Sequence, residues 1–229
     1  GGKIELVETD HFLIHTDWPP RDRGILPGLF ESMYTALCGE FACDPKEDVF
    51  LAKCPVFCFQ SKGRFWKFAR TFDGFADKEA IGYTRSIEAS GHVHMALCLG
   101  GRRPGDFDRF AYTLVHEGTH AFMHRFHNNR LIPHWVNEGY AELMAEQVLG
   151  DQCPAGEKAD LLARQYVRFD WPLGDLLVRS GPIEVHQYPL AASVITYLHE
   201  QGRERFAGFI RGLKEGHDVP RSLADNYAG

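Results

Sequence analysis

The sequence predicts an α+β protein, with an N-terminal mixed small sheet and helices followed by a helical part that carries the chemistry. Three observations predict it. Strand-like and helix-like segments alternate through the first hundred residues. A Gly100-Gly101-Arg102-Arg103-Pro104-Gly105 loop follows, and beyond it apolar residues recur at helical spacing almost to the end. The chain also has 229 residues, 44% hydrophobic and 24% charged, which is enough to bury a large core without disulfide or metal staples. We therefore expect one catalytic unit over 1–229, made of an α+β part at 1–105 and a helical part at 106–229.

Each element has its own signal. Glu5 to Thr16 contains the strand-like run His-Phe-Leu-Ile-His-Thr, and Pro19-Pro20 ends it. Residues 25–42 repeat apolar positions at helical spacing. Val49 to Phe59 is β-rich, and Ser61 is placed to cap a short helix through Phe72. Residues 80–99 read as a hairpin, with Gly82-Tyr83-Thr84 and His92 to Leu99 as strands around a Ser90-Gly91 turn. Asp106 or Asp108 can cap the next helix, whose core face is Phe107, Phe110, Leu114, Val115, Phe122, Met123 and Phe126. Asn128-Asn129 breaks it. Pro133 suits the first turn of a helix that Gly150 stops, and further helices are expected near 156–168, 173–179, 188–201 and 203–215.

Composition narrows the partners. A net charge of −6 with no dense Lys/Arg tract argues against nucleic acid. No apolar run approaches the 18 or so residues of a membrane span. The chain opens Gly1-Gly2-Lys3 without a methionine, as a processed or truncated chain does, so the compartment stays open, export behind a leader absent from this chain included. The six cysteines show neither zinc-finger nor disulfide-framework spacing and read as free thiols. Oligomeric state has no sequence signal.

Residues 116–120 read His-Glu-Gly-Thr-His. On a helix, His116 and His120 leave the same face about 5–6 Å apart at Cβ, close enough for both rings to reach one metal. Glu117 lies beside that line, where it can take a proton from water. Such a string alone arises by chance in roughly 4% of chains of this composition, so the next segment carries the weight. Residues 137–142 read Asn-Glu-Gly-Tyr-Ala-Glu, and the 17 residues between His120 and Glu138 leave room for a turn and a returning helix. Glu138 then supplies a third ligand near a helix N-terminus, leaving the fourth position for water.

This pair of motifs resembles the gluzincin metallopeptidases of peptidase clan MA, over residues 108–149 in its strong motifs and over the rest of the chain at the level of pattern. The resemblance implies a zincin-like fold with the active-site helix at the junction of the two parts. It implies Zn2+ held by His116, His120 and Glu138, Glu117 as general base, Glu142 as the carboxylate orienting a ligand imidazole, and Asn137 as part of the pattern. The gap between His120 and Glu138 is slightly shorter than in the best-known gluzincins, which marks an outlying branch. An oxyanion donor downstream is expected at Tyr188, with His186 and Tyr197 behind it. The strand just before the zinc helix (His92, Val93, His94, Met95, Ala96) takes the position of the family's substrate-pairing edge strand. The implied activity is hydrolysis of peptide or protein substrates by metal-activated water. The alternatives are a non-catalytic zincin-fold scaffold or a zinc hydrolase of a non-peptide amide. His124 reads as an ordinary polar or core histidine and His134 as a helix-entry residue, and His127 does not fit the metzincin third-ligand spacing, so all three stay outside the ligand set.

Overall fold

The computed structural model describes residues 3–46, 48–101, 103, 105–153, 164, 165, 168, 173–179 and 181–228. Period-two alternation along the strands divides its apolar residues between two faces of one sheet. Strands β1 (Glu5–Glu8), β2 (Phe12–Thr16), β3 (Cys54–Phe59), β4 (Gly82–Ile87) and β5 (His92–Cys98) lie in the order β1-β2-β3-β5-β4. The hairpins β1/β2 and β4/β5 are antiparallel, while β2/β3 and β3/β5 are parallel. The central strands Cys-Pro-Val-Phe-Cys-Phe and His-Val-His-Met-Ala-Leu-Cys are covered on both sides, as parallel strands require.

On one face Phe12, Ile14, Val56, Met95 and Leu97 enter the main core with helices α2 (Leu26–Glu40) and α4 (Asp106–Arg125). On the other, Phe59, Tyr83 and Ala96 meet Phe65 and Ala69 of α3 (Lys62–Phe72). Helix α4 therefore has the sheet on one side and α5 (His134–Leu149) on another, and α5 packs in turn against α7 (Tyr188–Glu200). The single turns α1 (Pro20–Arg23) and α6 (Leu173–Leu177), with α8 (Arg203–Glu215) and α9 (Val219–Tyr227), complete the described helices. The architecture is thus α+β with a mixed five-stranded sheet. No helix among the described residues is long and apolar enough to cross a membrane.

Several boundaries move from expectation. The run from Glu5 to Thr16 becomes two strands, because Thr9 Oγ1 accepts a hydrogen bond from the Phe12 amide (3.0 Å) and closes a turn between them. The β-rich stretch from Val49 contributes a strand only from Cys54, and Leu51 before it adopts φ 61°. Helix α3 begins after Ser61, but the serine side chain makes no capping bond. Gly105, not an aspartate, stands at the N-cap of α4, and Asp106 Oδ2 instead accepts from the Arg103 amide (2.8 Å). The helix expected near 156–168 lies largely outside the described residues. Helix α9 was not expected, although its signal is present in Asp218, whose side chain accepts from the Arg221 amide, and Pro220 in the first turn. None of the six cysteines forms a disulfide among the described residues.

Candidate metal centre

The geometry of the site begins with two close approaches that glycine permits. At Gly139 in α5, a Cβ would lie 2.6 Å from the Ala191 carbonyl oxygen of α7, so these helices pack backbone to backbone. At Gly82 in β4, a Cβ would lie 2.3 Å from Thr113 Cγ2, so the strand lies directly on α4. Thr84 Oγ1 also donates to the Glu117 carbonyl oxygen at 2.7 Å, binding the same strand to the helix at the first motif.

Within this frame the ligand atoms converge. His116 Nε2 and His120 Nε2 are 3.1 Å apart. Glu138 Oε2 lies 3.3 Å from the first and 3.5 Å from the second. Ligand atoms about 2.0–2.1 Å from a tetrahedral metal stand roughly 3.3–3.4 Å from one another. The three atoms therefore outline one face of such a tetrahedron, and the group could hold a metal ion. Two imidazole nitrogens and one carboxylate oxygen form a donor set that suits zinc.

Electrostatics points the same way. Burial disfavours a charged His116, but the Glu138 and Glu142 carboxylates overturn that effect and raise its pKa to about 10. Burial would also raise Glu138, yet the charge on His120 and hydrogen bonds from both imidazoles hold its carboxyl well below the ordinary range. Carboxylates gathered around two buried rings thus draw positive charge to one point, as protons or as a cation.

The neighbouring residues fall into place around this triad. Glu142 Oε1 is 3.4 Å from His116 Nδ1, within ion-pair range but without a hydrogen bond, and accepts from the Tyr112 hydroxyl at 2.6 Å. Glu117 opens on a cleft of about 590 Å³, shared with Tyr112, His116, Glu142 and Tyr188. Burial and the adjacent Glu138 carboxylate raise the Tyr188 phenol, which keeps it protonated and able to donate. His186 and Tyr197 do not join them: His186 pairs with Glu184 at 3.3 Å, and Tyr197 is 62% exposed. Asn137 lines a second, smaller pocket on the His120 side. His120 Nδ1 is buried with no hydrogen-bond partner among the described residues.

Two residues at the site escaped the sequence reading. His134, expected only as a helix-entry residue, puts Nε2 3.4 Å from Glu138 Oε1, the oxygen turned away from His116 and His120. Tyr112 holds Glu142 as described. Each lies four residues before a ligand on its own helix, and that i, i+4 spacing was the available signal.

One expectation is corrected. The strand His92, Val93, His94, Met95, Ala96 is not an edge strand, because β5 pairs with β4 along its whole length and with β3 from Met95 onward. The edge beside α4 is β4. The Cys98 amide donates to the Ile81 carbonyl (2.7 Å), and antiparallel alternation from that bond turns the backbone groups of Gly82, Thr84 and Ser86 outward, along both pockets. No protein-family model matches the chain, and no curated protein matches it.

Proposed function

We propose that this chain is a zinc-dependent metallopeptidase of gluzincin type, with a zincin-like fold in which α4 is the active-site helix at the junction of sheet and helical part. The observation that carries this reading is the convergence of His116, His120 and Glu138 at metal-ligand spacing while Glu117, from the same helix, opens on the adjoining cleft. A purely structural metal site has no use for a base beside it.

His116 Nε2, His120 Nε2 and Glu138 Oε2 hold the metal. Zinc, when bound, supplies the Lewis acidity that lowers the pKa of water and polarises a carbonyl. Glu117 accepts the proton of the attacking water and delivers it to the leaving amine nitrogen. The Tyr188 hydroxyl donates to the scissile carbonyl oxygen as negative charge develops there. Glu142, held by Tyr112, orients His116, and His134 steadies the outer oxygen of Glu138. The outward backbone groups of β4 favour a peptide over a small amide, since an extended chain can add to that edge as a further strand.

The experiment compares the zinc-loaded chain with Glu117→Gln on a peptide library. The expected result is cleavage by the native chain and a loss of about 10²–10⁴-fold in the variant, with zinc retained. Equal cleavage by both, or none by either with zinc bound, overturns the reading.

A further inference from the structure

The connection between α4 and α5 is held by the far end of α8. There the side chain of Lys214, in the last turn of that helix, is only 1% exposed. Its ammonium donates to the carbonyls of Met123 (2.7 Å) and His124 (3.5 Å) in the last turn of α4, and of Arg130 (2.6 Å) in the connection. The connection grips back. Asn128 Nδ2 donates to the Lys214 carbonyl at 2.9 Å, and His127 Nε2 stands 3.6 Å from Glu215 Oε1. His127 itself adopts φ 66°, a left-handed conformation that is uncommon outside glycine and persists where the surroundings fix it.

A lysine in this position calls for a reason. Lysine is almost never fully buried without an ionic partner, and here all three acceptors are neutral carbonyls. Burial lowers its pKa to about 8, so the ammonium is charged at pH 7 but at a cost. What the charge secures is the end of α4. The last carbonyls of a helix have no partner within it, and the negative end of its dipole favours a cation. An apolar side chain could fill the same space. Only a group with several donors can also tie the end of α4 to the approach to α5.

We propose that Lys214 is a positioning residue for the metal centre: it clamps the α4–α5 connection and so fixes Glu138 against His116 and His120. The proposal rests on the metal-centre reading and adds to it a side chain from a third helix. The path is short. His120 precedes Met123 by less than one turn of α4, and Arg130 lies just before Pro133, the N-cap of α5. Met123, His124 and Arg130 line the smaller pocket together with His120, His134 and Glu138, so the clamped segments and the triad wall the same space. A ligand set must be held within about 0.5 Å of its working geometry, which leaves the two helices little freedom to shift.

The test substitutes Lys214→Met, which keeps a long side chain and removes its donors. Zinc Kd is measured by competition with a chelator, and the absorption spectrum of the Co2+-loaded chain reports the ligand geometry. The comparison is Phe209→Leu, which thins the packing of α8 against Tyr227 of α9 and leaves the clamp alone. The expected result is zinc binding weakened about 10–100-fold in Lys214→Met, with an altered Co2+ spectrum, while Phe209→Leu keeps both native values. A Lys214→Met chain with native Kd and spectrum overturns the proposal. So does an equal loss in Phe209→Leu, which makes the effect one of general stability. If Lys214→Met does not fold, Asn128→Ala takes its place, since it removes one bond of the clamp. Zinc binding weakened about threefold or more is then expected, and an unchanged Kd overturns the proposal. Failure of the metal-centre reading looks different: the native chain itself binds no zinc, and the proposal falls with it.

Discussion

Tyr188 and Glu117 face the same cleft, and the roles proposed for them fall on different atoms, so kinetics separates them. Tyr188 touches the Glu138 side of the site and supplies no metal ligand. Tyr188→Phe removes one donor to the developing oxyanion, and kcat is expected to fall about 10²–10³-fold with KM and zinc content little changed. Steady-state kinetics with metal analysis checks this, and an unchanged kcat contradicts the role. The candidate metal-ligand set itself was readable in the sequence because helix geometry fixes where residues four apart must point. The histidine and tyrosine that support the set were not. The nearness of Tyr112 to Glu142 depends on the packing of α4 against α5, and that of His134 to Glu138 Oε1, although their i, i+4 spacing permits it, on the rotamers the two side chains adopt. Glu138, Glu142 and Glu146 recur four apart on α5 and become distinct only in space: Glu138 and Glu142 turn to the histidines, while Glu146 is exposed.

Among elements, the α5–α7 pair shows how a motif glycine serves the site at a distance. Gly139 lies next to Glu138 of the candidate triad, and its missing side chain lets the Ala191 backbone approach. That contact sets the height of α7, whose first residue is Tyr188. Gly139→Val would meet backbone, which cannot move aside as a flexible side chain does. A loss of about 1–3 kcal/mol in stability is expected, together with a fall in kcat larger than any change in zinc affinity. Chemical denaturation and zinc titration check it, and a variant of native stability contradicts the close packing. Helices were the legible elements, because their period is local. Sheet order was not. Strand β5 carries the apolar run and directly precedes α4, yet β4, with its polar Thr84 and Ser86, takes the edge. That order is set by pairing between β3 and β5, strands more than thirty residues apart, which no local pattern encodes.

For the whole molecule, ionisation of buried groups shapes the alkaline limit. Burial raises the thiols of Cys54 and Cys58 far above the ordinary value, and raises Cys98 to about 11. The folded chain holds these protons more tightly than the unfolded chain does, so their stabilising effect is complete below the unfolded thiol pKa of about 8.5 and is lost as pH rises beyond it. Lys214 works in the opposite sense. Burial lowers it to about 8, so the penalty on its charge is relieved between there and its ordinary value. Three thiols outweigh one ammonium. The Tm is expected to fall steadily from about pH 8.5 to 10.5, and a flat or rising Tm across that window contradicts the balance.

At the same scale the α+β class followed from composition and periodicity, whereas the pockets on either side of the metal centre arise only when β4, α4 and α5 come together. The most direct test is the zinc content of the purified native chain and of His120→Ala after equilibration with zinc, with folding checked by circular dichroism. About one zinc per native chain is expected, with its loss in the folded variant. A native chain that binds none, or a His120→Ala chain that binds as much as the native one, contradicts it.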